Sequence, residues 1–198
     1  MKQFQALTFN IPKLKGISEK NIEEHLKLYA GYVKHTNLIL EKIAILKKDA
    51  ENNAYALGEI NRRLGFEYNG IRNHEVYFSS FEGGSQAISD SGDLKKILSE
   101  TWGSFDAWFN EFQSIALTRG VGWAMLYYDR KDKRLINAWI DEQHLGQLQD
   151  CALILGLDMW EHSYVADYQP SGKKNYVEDF FANLNWGVIE MNLENATK

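Results

Sequence analysis

From Ile22 to Leu64 the apolar residues recur at helical spacing, and after Gly122 they gather into short continuous runs. A chain in that order is committed to a helical lobe first and a sheet afterwards. Ser18 can cap the first stretch, where Ile22, His25, Leu26, Tyr29, Tyr32, Val33 and Thr36 form one stripe. The spacing continues through Leu38, Ile43, Leu46, Ala54, Leu57, Ile60 and Leu64 and stops at Gly65. This predicts a second helix after a bend around residues 47–53, and so an antiparallel helical hairpin.

The small and polar residues Glu82-Gly-Gly-Ser85 and Ser89-Asp-Ser-Gly92 mark a connection. They divide the chain into an N-terminal α-hairpin lobe, residues 1–88, and a C-terminal α/β lobe, residues 89–198. In the second lobe a helical stretch from about Asp93 to Leu117 precedes the run Gly122–Tyr128, a turn at Asp129–Lys133 and the run Arg134–Ile140, which read as a β-hairpin. Ala152–Leu157 adds a third strand, and helical segments around Glu161–Tyr168 and Tyr176–Leu184 close the chain. The fold class is α+β, with a three-stranded antiparallel sheet in the C-terminal lobe.

Length and composition exclude several functions. A chain of 198 residues, 44% hydrophobic and 25% charged, has material for one sizeable core. The net charge of -5 is spread along the sequence with no Lys/Arg stripe, which argues against nucleic acid as a partner. No run of about 18 apolar residues points to a membrane, and Met1-Lys2-Gln3-Phe4-Gln5 lacks the apolar stretch of a signal peptide. A cytoplasmic protein is the expectation. Cys151 is the single cysteine, so no intramolecular disulfide forms, and its apolar neighbours predict a buried, inert thiol.

Four of the five histidines, His25, His74, His144 and His162, stand in or beside apolar or aromatic sequence, where an unpartnered imidazole loses its hydration. Any one of them alone is most simply a hydrogen-bonded core residue. Asp158 ends the apolar run Leu153–Leu157 and His162 follows four residues later, so a strand end and the first turn of a helix can aim both side chains at one point. Three neutral imidazoles and one carboxylate would leave a divalent metal with a net charge of about +1 and a trivalent one with about +2. Other metal patterns fail. His74-Glu75 begins like a zinc-protease helix, but Phe78 stands where the second His belongs, and neither paired Glu-x-x-His motifs nor a glycine-rich phosphate loop is present.

The segment Asp158-Met-Trp-Glu-His-Ser-Tyr164 closely resembles the signature of the iron/manganese superoxide dismutases, and Asp167-Tyr-Gln and Asn183-Leu-Asn-Trp186 match that family's C-terminal pattern. Gly122-Trp-Ala-Met-Leu126, Gly103-Ser-Phe105, Asn73-His74, and His25 with Tyr32-Val33 and Asn37 are similar to its other motifs, in the same order. The resemblance implies the family's two-lobed fold, with one iron or manganese ion per chain bound by His25, His74, Asp158 and His162. It implies disproportionation of superoxide to oxygen and hydrogen peroxide. Tyr32 and His144 are the residues it suggests for the hydrogen bonds that tune the metal and supply protons, with the adjacent Gln143 left open as the alternative to His144. Trp123, Trp160 and Tyr77 would form an aromatic wall. Glu161 resembles a residue that reaches a partner subunit's ligand histidine, so a homodimer, or a tetramer, is implied.

The chain also departs from the family. His25 and Tyr32 are separated by one residue fewer than usual, the extra residue in the family suiting a widened helical turn. Tyr29 and Val165 replace a histidine and a tyrosine that pair across the family's dimer, and Phe78 and Met125 replace tryptophans. Gly70 stands where one branch of iron enzymes carries a glutamine, so that role must fall to a later segment. These losses leave an alternative, a metal-binding or scaffold relative that keeps the fold and turns over poorly.

Overall fold

A computed structural model describes residues 2–198. Helix α1 (Glu19–Leu46) is capped by Ser18, whose side chain accepts the amide hydrogen of Asn21 at 3.1 Å. Its buried stripe is Asn21, Ile22, His25, Tyr29, Val33, Thr36 and Ile43. The helix is α-helical throughout, so the shorter His25–Tyr32 spacing is taken up without a widened turn. A 3-10 turn at Lys47–Asp49 reverses the chain into α2 (Ala54–Ser79), which packs against α1.

Helix α2 does not stop at Gly65. It continues for fourteen residues to Ser79, and Gly65 and Gly70 answer to neighbours rather than to termination. A Cβ on Gly70 would lie 2.5 Å from the Tyr32 ring, and one on Gly65 would touch His144 at 3.4 Å. A glycine inside a helix costs about 0.5–1 kcal/mol against alanine, offset here by the close approach it permits.

The connection after α2 carries Gly83 and Gly84 at φ 74° and 88°. It is held by the Gln86 amide on the Leu184 carbonyl and by the Asn185 side chain on the Glu82 carbonyl. The stretch Asp93–Leu117 is two helices, α3 (Asp93–Trp102) and α4 (Phe105–Ala116). Gly103 breaks it at φ 85°, and Ser104 caps α4 by accepting from the Ala107 amide.

Strands β1 (Gly122–Asp129), β2 (Arg134–Asp141) and β3 (Cys151–Asp158) form an antiparallel sheet in the order β2-β1-β3. The central strand is buried on both faces, which accounts for its continuous apolar run. In this register Trp123 pairs with Asp158. Cys151, at the start of β3, is half-buried rather than buried.

The segment after β3 is not the expected helix. Glu161–Ser163 forms one 3-10 turn, and the residues to Tyr168 follow as further turns. Side-chain bonds compete with the helix: Ser163 Oγ donates to the Asp158 carbonyl, and Asp167 accepts from the Ser18 amide and the Asn21 side chain. Two helices close the chain, α5 (Lys173–Asn183) and the unforeseen α6 (Trp186–Thr197). In α6, Trp186, Ile189, Leu193 and Ala196 are buried, and Asn185 caps it through the Gly187 amide. No described helix is long and apolar enough to cross a membrane.

Candidate metal centre

The stripe on α1 carries His25 into the interior, and α2 brings His74 beside it, their rings 4.9 Å apart and nearly perpendicular. From the other side β3 ends in Asp158, and the following turn returns His162 to the same point. One ligand atom from each residue lies within 4.8 Å of all the others. His25, His74 and Asp158 are sealed from solvent, and His162 alone keeps part of its side chain, 23%, exposed.

The two oxygens of Asp158 have separate partners. Oδ1 accepts the Trp160 amide at 2.8 Å. Oδ2 faces Nε2 of His25 and of His162 at 3.2 Å each, and Nε2 of His74 at 3.5 Å. The Asp158 carbonyl accepts from Tyr176 Oη at 2.9 Å and shares the single Ser163 Oγ hydrogen, also at 2.9 Å, with the Trp160 carbonyl at 2.6 Å. With its own hydrogen so used, Tyr176 Oη receives the hydrogen of Tyr77 Oη at 3.2 Å.

His74 provides the test of whether a metal fits. Its Nδ1 lies 2.7 Å from the Gly70 carbonyl, which can only accept, so the proton sits on Nδ1 and Nε2 presents a lone pair. That Nε2 is buried without a hydrogen-bond partner and faces a carboxylate oxygen. A second proton on the ring is opposed, since burial and then the neighbouring His25 push its pKa down to about 3. Burial likewise holds His25 below its ordinary range against the pull of Asp158. Burial pushes the Asp158 carboxyl up, but nearby His162 and the bonds from His162 and His25 outweigh it and hold the group well below the carboxylate range. The His25 and His74 rings, both held neutral by burial, thus converge with His162 on one negative oxygen, an arrangement that a cation relieves. Imidazole nitrogen with carboxylate oxygen is a donor set that suits iron and manganese.

Aromatic rings enclose the cluster. Trp123 stands edge-on to His74 at 5.1 Å, Tyr77 lies 5.0 Å from His25, and Trp160 stacks on His162 at 5.7 Å. Phe78 lies 4.9 Å from His25. The Tyr32 ring is 5.1 Å from that of His74. Burial raises the Tyr32 phenol, Asp158 and Glu67 add to the rise, and Arg63 opposes it.

His144 is not the residue bonded to Tyr32. Its ring packs edge-to-face on Phe66, 5.8 Å away, and its Nδ1 is buried without a partner. Its neighbour Gln143, fully buried, donates from Nε2 to Tyr32 Oη and accepts the Trp123 indole hydrogen on Oε1, both at 3.0 Å. The Gln143 carbonyl is held by Asn73 and Gln147. Glu142 turns the chain at φ 51° just past β2, so strand alternation no longer tells which side chain points inward. Tyr29 and Val165 have plain local surroundings. Tyr29 Oη accepts from the Leu7 amide and donates to Glu75, and Val165 is exposed.

The family described as iron/manganese superoxide dismutases, C-terminal domain, matches residues 90–192. Similar whole chains extend the match to the N-terminal helices. The iron superoxide dismutase of Aquifex aeolicus is 33% identical over 93% of this chain and 88% of its own length. That of Cupriavidus metallidurans is 37% identical over 88% of this chain and 87% of its own. The manganese superoxide dismutase of Mycobacterium leprae is 31% identical over 94% and 87%. With one helical hairpin and one strand end with its following turn supplying the four converging side chains, and with similarity running through both, the chain belongs to the iron/manganese superoxide dismutase family.

Proposed function

We propose that this chain is a superoxide dismutase, converting two superoxide anions and two protons into oxygen and hydrogen peroxide at one iron or manganese ion held by His25, His74, Asp158 and His162. The observation that carries this reading is the bare, buried Nε2 of His74 aimed at the Asp158 carboxylate. When bound, either ion supplies one-electron chemistry between its divalent and trivalent states.

The chain's own residues have distinct tasks. Asp158 contributes the single negative charge, oriented by the Trp160 amide on its second oxygen. The Gly70 carbonyl fixes the His74 tautomer. Tyr32 holds a proton on Oη, kept there by burial and by neighbouring carboxylates, and Gln143 donates to that oxygen while Trp123 fixes the Gln143 amide. Gln143 therefore takes the part first assigned to His144. Tyr77, Phe78 and Trp123 keep bulk water from the closed side of the cluster.

We extend the reading to a homodimer working in the cytoplasm, with Glu161 at the interface. Glu161 is exposed and precedes His162, the ligand that keeps an open edge. The two lobes, residues 1–88 and 89–198, each give two ligands. The test is superoxide consumption by the purified protein after separate loading with iron and with manganese. Turnover with at least one ion is expected, whereas a loaded protein inactive with both would overturn the reading and favour a scaffold relative.

A further inference from the structure

His162 is the only one of the four cluster residues that reaches solvent, so its surroundings are the rim that any small anion must pass. Trp160 stacks on it, Phe66 meets Trp160 edge-on at 6.3 Å, and Tyr32 lies 6.0 Å beyond Phe66. Beside Phe66 stands a carboxylate, Glu67, with only 9% of its side chain exposed. Arg63, one helical turn earlier, lays its guanidinium 3.6 Å over the Phe66 ring and donates from Nε to Glu67 at 2.8 Å. Half of the Arg63 side chain faces water. Exposed Glu142 and Glu161 add negative charge near Trp160 and His162, while neighbouring Arg62 is spent on Glu59.

A carboxylate buried beside the mouth of an anion-consuming site is an obstacle, because low-dielectric walls focus its field into the opening. We propose that the Arg63–Glu67 ion pair is an electrostatic gate for this site, in which Arg63 cancels the Glu67 carboxylate and presents its outer guanidinium edge to incoming superoxide. The inference rests on the functional reading above and adds two residues that govern entry rather than chemistry. Both charges act at Tyr32 Oη, with opposite sign. The stack on Phe66 keeps the guanidinium over the rim, a placement that flexible surface cations lack.

The test compares metal-loaded wild type with Arg63→Gln, Arg63→Lys, Glu67→Gln and the double Arg63→Gln/Glu67→Gln variant. Two quantities are read: the second-order rate constant with superoxide across ionic strength, and the Kd for azide by optical titration. At low salt Arg63→Gln should lower the rate constant about 3- to 10-fold and weaken azide by a similar factor. Glu67→Gln should raise the rate constant and lower the azide Kd relative to wild type, Arg63→Lys should stay close to wild type in both, and the double variant should return towards it. These differences should shrink as the Debye length falls from about 30 Å at 0.01 M salt to about 8 Å at 0.15 M. Losses in both single charge-removing variants, independent of salt and not rescued by Arg63→Lys, would overturn the gate and make the pair a brace for Phe66. Azide reads anion entry without turnover. Azide affinities in the expected order with no superoxide consumption would sink the dismutase reading and keep the gate, and affinities indifferent to all four variants would sink the gate.

Discussion

His25 and His74 stand on helices of 28 and 26 residues, whereas Asp158 and His162 stand at a strand end and in a three-residue turn. The helical pair is aimed by periodicity: a stripe buried along α1 and α2 carries both rings inward, and one backbone carbonyl, that of Gly70, sets a tautomer. The second pair is aimed by local bonds from the Trp160 amide, Ser163 and Tyr176. One half of the site therefore depends on packing between helices and the other on a hydrogen-bonded turn. Substitutions in the two halves should fail differently.

The largest effect is expected at Asp158, the only charge in the ligand set. Asp158→Asn should weaken metal binding by at least about 100-fold, beyond the 10- to 100-fold typical of outer-shell partners, as measured by competition with a chelator. Retention of wild-type affinity would remove the carboxylate from the ligand set. In the helical half, Gly70→Ala drives a methyl into the Tyr32 ring and should cost about 1–3 kcal/mol in urea unfolding. A neutral result would mean that α1 and α2 can separate freely, contrary to the contrast drawn here.

In the turn half, Tyr176→Phe removes one donor to the Asp158 carbonyl and the acceptor of Tyr77. A loss of about 1–2 kcal/mol should appear in unfolding, with weaker metal binding in step, because the carbonyl and the Tyr77 hydroxyl lie in a buried setting. Destabilisation without any change in metal affinity would separate this network from the site. Ser18→Ala should be the mildest, about 1 kcal/mol from loss of the α1 cap, with metal affinity unchanged. A large loss of metal here would show that the helical half depends on its ends as much as on its packed face.

The same contrast explains what could be read from the residues. The helix stripes, the β-hairpin and the run into Asp158 follow from hydrophobic period, so His25 and Asp158 could be set on their elements in advance. Where packing overrides period, reading failed. Gly65 looks like a helix end until its neighbour His144 is seen, and α6 escaped notice although Trp186, Ile189, Leu193 and Ala196 carry a helical stripe. The choice between His144 and Gln143 could not be read from the residues because a positive φ at Glu142 resets the facing of the chain, and only the indole of Trp123 and the hydroxyl of Tyr32 show that Gln143 points inward. The turns after Trp160 could not be foreseen either, since they are set by bonds to Ser18 and Asn21, more than 140 residues away in sequence.

The central claim, one redox metal held jointly by the helical hairpin and the strand-end turn, is tested most directly by the metal-to-chain ratio of wild type, His74→Ala and His162→Ala, purified identically. One iron or manganese ion per chain in the wild type, lost in both variants while each stays folded, is the result predicted. A wild-type protein that takes up neither ion, or a full complement of metal in either variant, would contradict it.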